Sequence, residues 1–100
     1  MFAQLTDLEI LAEIGRRLKA HRLQQNIPIE VLASRAGLSK TTVVRAEAGK
    51  NPTLITLLRI LRQLGKLGAL ENFIPEPRIS PLQLLERGGK GERKHAYRAK

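Results

Sequence analysis

The sequence is poor in residues on which several protein classes depend. Its 100 residues include no cysteine and no tryptophan, and Phe2, Phe73 and Tyr97 are the only Phe or Tyr side chains. Without cysteine the chain can form no disulfide, thiolate metal site or thiol nucleophile. So few aromatic residues among many aliphatic ones favour a small all-helical domain over a β-sandwich or barrel.

Long apolar runs are also missing, and acidic residues are in the minority. No run reaches membrane-spanning length, and the acidic residues that soon follow Met1 do not suit a signal peptide, so we expect a soluble, cytoplasmic protein. The chain has 18 Lys and Arg against 9 Asp and Glu, a net charge of +9. Residues 88–100 contain five basic residues and one acid, so residues 1–87 keep 13 basic against 8 acidic. A small basic domain most often binds a polyanion, and composition alone leaves RNA, DNA or a purely colloidal role of the charge open.

Capping residues predict where helices begin and end. Thr6-Asp7-Leu8-Glu9 is a capping box that starts a helix over residues 7–25. Pro28 starts a second helix over 29–36, and Gly37 ends it in the left-handed conformation. Ser39 caps a third over 40–48, which Gly49 ends, and Thr53 caps a fourth that runs from 54 up to Gly65. A short fifth helix is predicted over residues 67–73.

Helical spacing of apolar residues predicts which faces are buried. The predicted stripes are Leu8, Leu11, Ile14 and Leu18 in the first helix, Val31 or Leu32 with Ala33 in the second, and Leu54, Leu57, Leu58, Leu61 and Leu64 in the fourth.

The composition changes after residue 74. Prolines at 75, 77 and 81 mark a linker, and Ser80-Pro81 predicts a further short helix over 82–87. From Gly88 onward the sequence is glycine and charge without apolar periodicity, which predicts a disordered basic tail. The predicted organisation is a helical domain at 1–74, a Pro-rich linker with a short helix at 75–87, and the tail at 88–100.

The third predicted helix has two different faces. At about 100° per residue, Val43 and Ala46 lie on one side, suited to packing on the neighbouring helices. Lys40, Thr41, Val44 and Arg45 share the other side, and Ser39 is at its N-terminal end. A helix this short is unstable alone in water, so its neighbours must support it and leave the polar side exposed.

Ala33, Gly37 and Val43 have the spacing of a helix-turn-helix motif. Over residues 14–65 the chain resembles the Cro/CI-type (XRE) helix-turn-helix family. The resemblance rests on Leu32, Ala33, Ala36, Gly37, Leu38, Ser39, Val43, Glu47, Gly49, Pro52, Leu57, Leu64 and Gly65.

This resemblance implies an all-α, five-helix, lambda-repressor-like bundle that binds double-stranded DNA as a homodimer. The expected function is a transcriptional repressor, found with the nucleoid, that reads an inverted-repeat operator. The resemblance assigns base contacts to Lys40, Thr41, Val44 and Arg45, phosphate contacts to Ser39, Lys50, Asn51, Thr53 and Leu54, and a structural ion pair to Arg22 and Glu47. Arg17 and the other arginines of the first helix are expected to add sequence-independent contacts to phosphate.

The chain departs from the family pattern at three positions. Pro28 replaces a Ser or Thr cap, and Ile29 replaces a polar residue that contacts phosphate in many relatives. Ala46 is smaller than the usual Ile or Leu. We expect a weaker phosphate contact at the second helix and a slighter core.

Leu67, Leu70, Phe73 and Ile74 permit two interpretations, since they can complete the core or form a patch for a dimer or another partner. A dimer patch is favoured because operators with two-fold symmetry require a two-fold protein. His21 and His95 have no partner cluster, so the sequence predicts no enzyme activity, no metal site and no cofactor.

Two further hypotheses remain open. Residues 75–100 resemble the C-terminal part of helix-turn-helix antitoxins, which suggests a HipA-type kinase toxin as a partner. The alternative from a different class is a protein-binding module or co-activator that uses this fold without reading bases.

Overall fold

The computed structural model describes residues 2–78, which form helices joined by turns and loops and contain no β-strand. The elements are a 3₁₀ helix (Phe2–Gln4), α1 (Asp7–Gln24), α2 (Ile29–Ala36), α3 (Lys40–Glu47), α4 (Leu54–Gln63), a second 3₁₀ helix (Leu67–Ala69) and α5 (Leu70–Phe73). The predicted all-α, five-helix fold is confirmed. The predicted helix at 82–87 and the tail at 88–100 lie outside the described residues. Between residues 2 and 78, no helix is long and apolar enough to cross a membrane.

Helix α1 begins at the predicted capping box. The Thr6 hydroxyl accepts a hydrogen bond from the Glu9 amide at 3.2 Å, and the Glu9 carboxylate accepts one from the Thr6 amide at 2.9 Å. These bonds satisfy two amides that the helix itself cannot pair. The helix ends at Gln24, and Asn26 with φ 58° turns the chain toward α2.

The join between α2 and α3 is a tight turn. Gly37 has φ 71°, in the left-handed region that glycine reaches without strain, and the Leu38 amide donates to the Ala33 carbonyl at 2.9 Å. Ser39 then caps α3, because its hydroxyl accepts from the Thr42 amide at 3.0 Å. The turn brings α3 against α2 immediately after α2 ends.

Aliphatic side chains from α1 to α4 form the core. Leu32, Val43 and Ile60 are fully buried, and burial of each stabilises the fold by about 1.5–3 kcal/mol. Within residues 2–78, the buried residues of the core cluster are Leu18, Leu32, Ala33, Val43, Ala46, Ile60 and Leu64.

The buried stripe of α4 agrees only in part with the predicted one, since Leu64 is buried and Leu57 and Leu61 pack against the core as predicted. Leu54 was expected inside but is 62% exposed, whereas Ile60, absent from the predicted stripe, is fully buried. Thr56 is also buried, and its hydroxyl accepts from the Thr53 hydroxyl at 3.0 Å. The buried side is therefore centred on Thr56, Ile60 and Leu64. Apolar residues occur on more than one face of this helix, so periodicity could not identify the face that meets α2 and α3.

A smaller correction applies to α1, where Leu8 is 74% exposed rather than part of the stripe. One turn later, the backbone of Ala12 lies against Gly49 at the end of α3. Leu8 therefore lies beyond the level at which α1 meets α3. In α2, where Val31 and Leu32 were both candidates, Leu32 is the fully buried residue.

Two glycines allow α1 to lie directly against the C-terminal end of α3. A Cβ atom on Gly15 would be 2.5 Å from the Glu47 carbonyl oxygen and 2.7 Å from that of Ala46. A Cβ atom on Gly49 would be 2.7 Å from the Cα atom of Ala12. Because these are contacts with backbone, the two glycines fix the distance between α1 and α3.

Candidate nucleic-acid interface

Helix α3 is buried on one side and open to solvent on the other. Val43 and Ala46 are 0% and 2% exposed. On the opposite side Lys40, Thr41 and Arg45 are exposed, and Val44 is 45% exposed. The structure thus brings the four residues expected to contact bases onto one accessible surface, which we call the α3 face.

The N-terminal end of α3 is held in place by its own side chains. The Ser39 hydroxyl accepts from the Thr42 amide and also shares a 2.8 Å hydrogen bond with the Thr42 hydroxyl. Ser39 remains exposed, so a phosphate oxygen can still reach it. Capping by serine preserves the helix start that positions Lys40 and Thr41.

Lys40 is paired with an acidic residue that the sequence analysis did not identify. Its ammonium group donates to the Glu30 carboxylate in the first turn of α2 at 3.0 Å. The two side chains are 58% and 64% exposed, so the pair lies on the surface. A hydrogen bond from its own backbone amide, and then the bond from Lys40, lower the pKa of Glu30. Ten residues separate the two along the chain, and only the turn between α2 and α3 brings them together.

The loop between α3 and α4 places four further predicted contact residues in solvent. Lys50 is exposed, and its amide donates to the Arg45 carbonyl at 2.9 Å, which ties the loop to α3. Asn51 has φ 51°, in the left-handed region. Thr53 caps α4 with its side chain, and Leu54 follows it as an exposed residue.

Arg17 is more restrained than the sequence suggested. Its guanidinium group donates to the Glu13 carboxylate at 2.7 Å and lies 4.8 Å from the centre of the Phe2 ring. Arg16 donates two more hydrogen bonds to Glu13. Hydrogen bonds from Arg16 and then Arg17 lower the pKa of Glu13 to about 2. The side chain of Arg17 keeps 46% of its surface exposed and can still contact a phosphate, but Glu13 already offsets its charge.

Arg22 and Glu47, the expected ion pair, join α1 to the end of α3. The Arg22 guanidinium donates to both carboxylate oxygens of Glu47, at 2.7 and 3.1 Å, and to the Ile27 carbonyl at 3.0 Å. The side chains are only 9% and 6% exposed. This bidentate pair fixes the end of α3 on the side where Gly15 already holds it close to α1.

Ile29, at the start of α2, packs against the edge of the core instead of presenting a polar group. It also lines an open cleft of about 250 Å³ beside α3, together with Lys19, Arg22, Val44, Glu47 and Ala48. Across residues 2–78, no group of three or more His, Asp or Glu side chains is arranged to bind a metal ion.

Apolar side chains remain exposed at the end of the described chain. Leu67 and Leu70 are partly buried, whereas Phe73 is 61% and Ile74 76% exposed. The predicted fifth helix is divided here into a 3₁₀ turn and one α-helical turn. We call these four residues the C-terminal patch.

Two helices joined by a tight glycine turn, with the second exposed along a polar face, define a helix-turn-helix unit. The helix-turn-helix family model matches residues 18–69, just over half of the chain. The chain therefore belongs to the XRE-type helix-turn-helix family and is a DNA-binding regulator of that type. No individual curated protein shows significant similarity to it.

Proposed function

We propose that the protein is a transcriptional repressor that recognises an inverted-repeat operator in double-stranded DNA as a homodimer. The observation that carries the proposal is the α3 face, where Lys40, Thr41, Val44 and Arg45 are accessible while Val43 and Ala46 anchor the helix. A helix of this width enters the major groove, where each base pair presents a distinct pattern of donors and acceptors.

The chemistry of the α3 face suits base edges. Arg45 can donate two hydrogen bonds to O6 and N7 of guanine, and it forms no ion pair within the described part of the chain. Thr41 and Val44 offer methyl groups to the methyl group of thymine. Lys40 can donate to guanine or to a phosphate. A good bidentate contact adds about 1–3 kcal/mol of discrimination against the wrong base.

Phosphate contacts would supply affinity that does not depend on sequence. The proposed contacts are Ser39, Lys50, Asn51, Thr53, Leu54 and Arg17. Each phosphate neutralised by a cation makes binding weaker as salt is added, because a counterion released into a more concentrated salt solution gains less entropy. Lys50 is expected to dominate this set, since Arg17 is already bonded to Glu13.

A homodimer would place two α3 helices in successive major grooves about 34 Å apart. The C-terminal patch is the proposed contact between subunits, because Phe73 and Ile74 expose apolar surface next to each other. Sedimentation equilibrium should give twice the mass of the chain. A monomer at the concentrations that saturate an operator would contradict this part of the proposal.

The test of base reading compares two variants on two DNAs. Selection from a random duplex pool first supplies a preferred sequence, and a scrambled duplex of equal length is the reference. Arg45→Ala should weaken binding to the preferred sequence by about 1–3 kcal/mol with little change on the scrambled duplex. Lys50→Ala should weaken both alike and reduce the salt slope by about 0.9 per contact. Equal losses on both DNAs for Arg45→Ala would remove its base-reading role.

A finer version of the proposal makes the protein the antitoxin of a HipA-type kinase operon. It rests on the likeness of residues 75–100 to such antitoxins, and co-purification with a kinase-sized protein from the native source would test it. The alternative is a protein-binding module or co-activator. That function predicts a shallow salt dependence and no preferred sequence in the same titrations.

A further inference from the structure

We propose that Glu30 is a positioning residue that raises the sequence selectivity of Lys40 by holding its ammonium group on the α3 face. The inference rests on the proposed function of that face. The carrying observation is the 3.0 Å hydrogen bond from the Lys40 ammonium group to the Glu30 carboxylate.

Glu30 lies next to the start of α3. Its partner Lys40 is the first residue of α3, so the carboxylate lies beside the N-terminal end of the proposed recognition helix. The side chain is 64% exposed and that of Lys40 is 58% exposed, so this surface pair contributes little to stability. An ionised carboxylate on a surface that must approach phosphates is unfavourable for affinity. Neither stability nor affinity therefore explains why Glu30 lies beside Lys40.

Lys40 has more hydrogen-bond donors than its bond to Glu30 uses. An ammonium group has three donors, so Lys40 can keep its bond to Glu30 while it donates to O6 or N7 of a guanine. On a sequence without that acceptor, Lys40 can bind only phosphate, and Glu30 already offsets the charge with which it would do so. Glu30 therefore removes a cation from sequence-independent binding without removing a donor from base recognition.

Glu30→Gln should remove the negative charge that offsets Lys40, so that the full charge of the lysine is available to phosphate. Counterion release from one phosphate strengthens binding up to roughly eightfold at about 0.1 M salt, so we expect about a fivefold lower Kd on a random-sequence duplex for each α3 helix that engages it. The salt slope should steepen by about 0.9 for each α3 helix that engages the duplex. Affinity for a sequence selected from a random pool should change by less than about twofold, so selectivity should fall severalfold.

Two controls separate this role from general charge effects. Glu76→Gln makes the same change in net charge beyond α5, at an exposed residue with no ion pair in the described chain, and should leave selectivity unchanged. In a Lys40→Met background, Glu30→Gln should have less than half of its effect on the random duplex. Circular dichroism should show the same helix content in all variants.

The outcomes distinguish the inference from the function on which it rests. A selectivity loss with Glu30→Gln that depends on Lys40 supports the inference. Three results would overturn the inference but leave the proposed function standing. Glu30→Gln could raise the affinity for random and selected DNA equally, or Glu76→Gln could reduce selectivity as much as Glu30→Gln does. The effect of Glu30→Gln on the random duplex could also persist in full in the Lys40→Met background. If the wild-type protein shows no salt-dependent binding to any duplex, the proposed function and this inference both fail.

Discussion

Replacing Gly15 with alanine tests whether the α1–α3 contact fixes the position of α3, the proposed recognition helix. Gly15 lies within α1, and alanine at an interior helix position is normally better than glycine by about 1 kcal/mol. Helix propensity alone therefore predicts that Gly15→Ala stabilises the protein.

The structure predicts instead that Gly15→Ala destabilises the protein. The new Cβ atom would lie 2.5, 2.7 and 2.8 Å from backbone atoms of Glu47 and Ala46. Overpacking costs typically 1–3 kcal/mol, and the upper end applies because a backbone carbonyl cannot rotate away as a side chain can. After the gain in propensity is subtracted, we expect a net loss of about 2 kcal/mol in the free energy of unfolding.

Thermal unfolding followed by circular dichroism is the assay. For a domain of this size, a loss of about 2 kcal/mol lowers Tm by roughly 8–16 °C. The matched control is Gly68→Ala, because a Cβ atom there meets nothing within 4 Å and its backbone is not in the left-handed region. That variant should be as stable as the wild type or slightly more stable. A Gly15→Ala protein with an unchanged or higher Tm would refute the close approach of α1 and α3.

Two further predictions concern ion pairs. Glu47→Ala should lower the free energy of unfolding in urea by about 3–5 kcal/mol, because it leaves the guanidinium of Arg22 buried without its partner. The double variant Arg22→Met/Glu47→Leu should recover most of that loss. A double variant as unstable as the single one would contradict this explanation. Glu13 has a pKa lowered from 4.5 to about 2, so the stability that it contributes is present above pH 4.5 and is lost as the pH falls toward 2. Glu13→Gln should therefore have a lower Tm than the wild type at pH 7 and the same Tm near pH 2. If the difference in Tm does not shrink between these pH values, the ionised Glu13 carboxylate does not stabilise the fold.

Local signals in the sequence were sufficient to predict most helix boundaries. The capping residues Thr6, Ser39 and Thr53 each accept the hydrogen bond expected of an N-cap. Gly37 and Gly49 adopt the left-handed conformation at the ends of α2 and α3. Caps and glycine stops act within one turn of the helix, so they can be recognised without any knowledge of tertiary packing.

Burial was predicted less well, because it depends on neighbours that are distant in the sequence. In α4 the apolar residues cover more than one side, and contact with α2 and α3 selected Ile60 instead of Leu54. The role of Gly15 was missed for the same reason. A glycine inside a sequence of strong helix formers was the available signal, and it indicated a close approach without identifying the partner.

In the proposed interface too, some features can be predicted from the sequence of one helix, and others depend on how the helices pack. The two-sided character of α3 follows from its own sequence. The pairing of Arg17 with Glu13, four residues earlier in α1, is also a contact that one helix allows, whereas the pairing of Lys40 with Glu30 requires the turn between α2 and α3. Each pair neutralises a cation that the sequence analysis had assigned to DNA.

These pairings change how the positive charge of the chain should be weighed. Net charge treats every lysine and arginine as equally available to phosphate, but a cation already bonded to a carboxylate releases fewer counterions when it binds DNA. Within residues 2–78, Arg45 and Lys50 are proposed contacts that carry no ion pair, and the loop hydrogen bond from the Lys50 amide to the Arg45 carbonyl holds their backbones together. Because one is assigned to a base and the other to a phosphate, selectivity and affinity would arise from adjacent positions. The exposed face of α3 should therefore discriminate between sequences more strongly than a charge of +9 alone suggests.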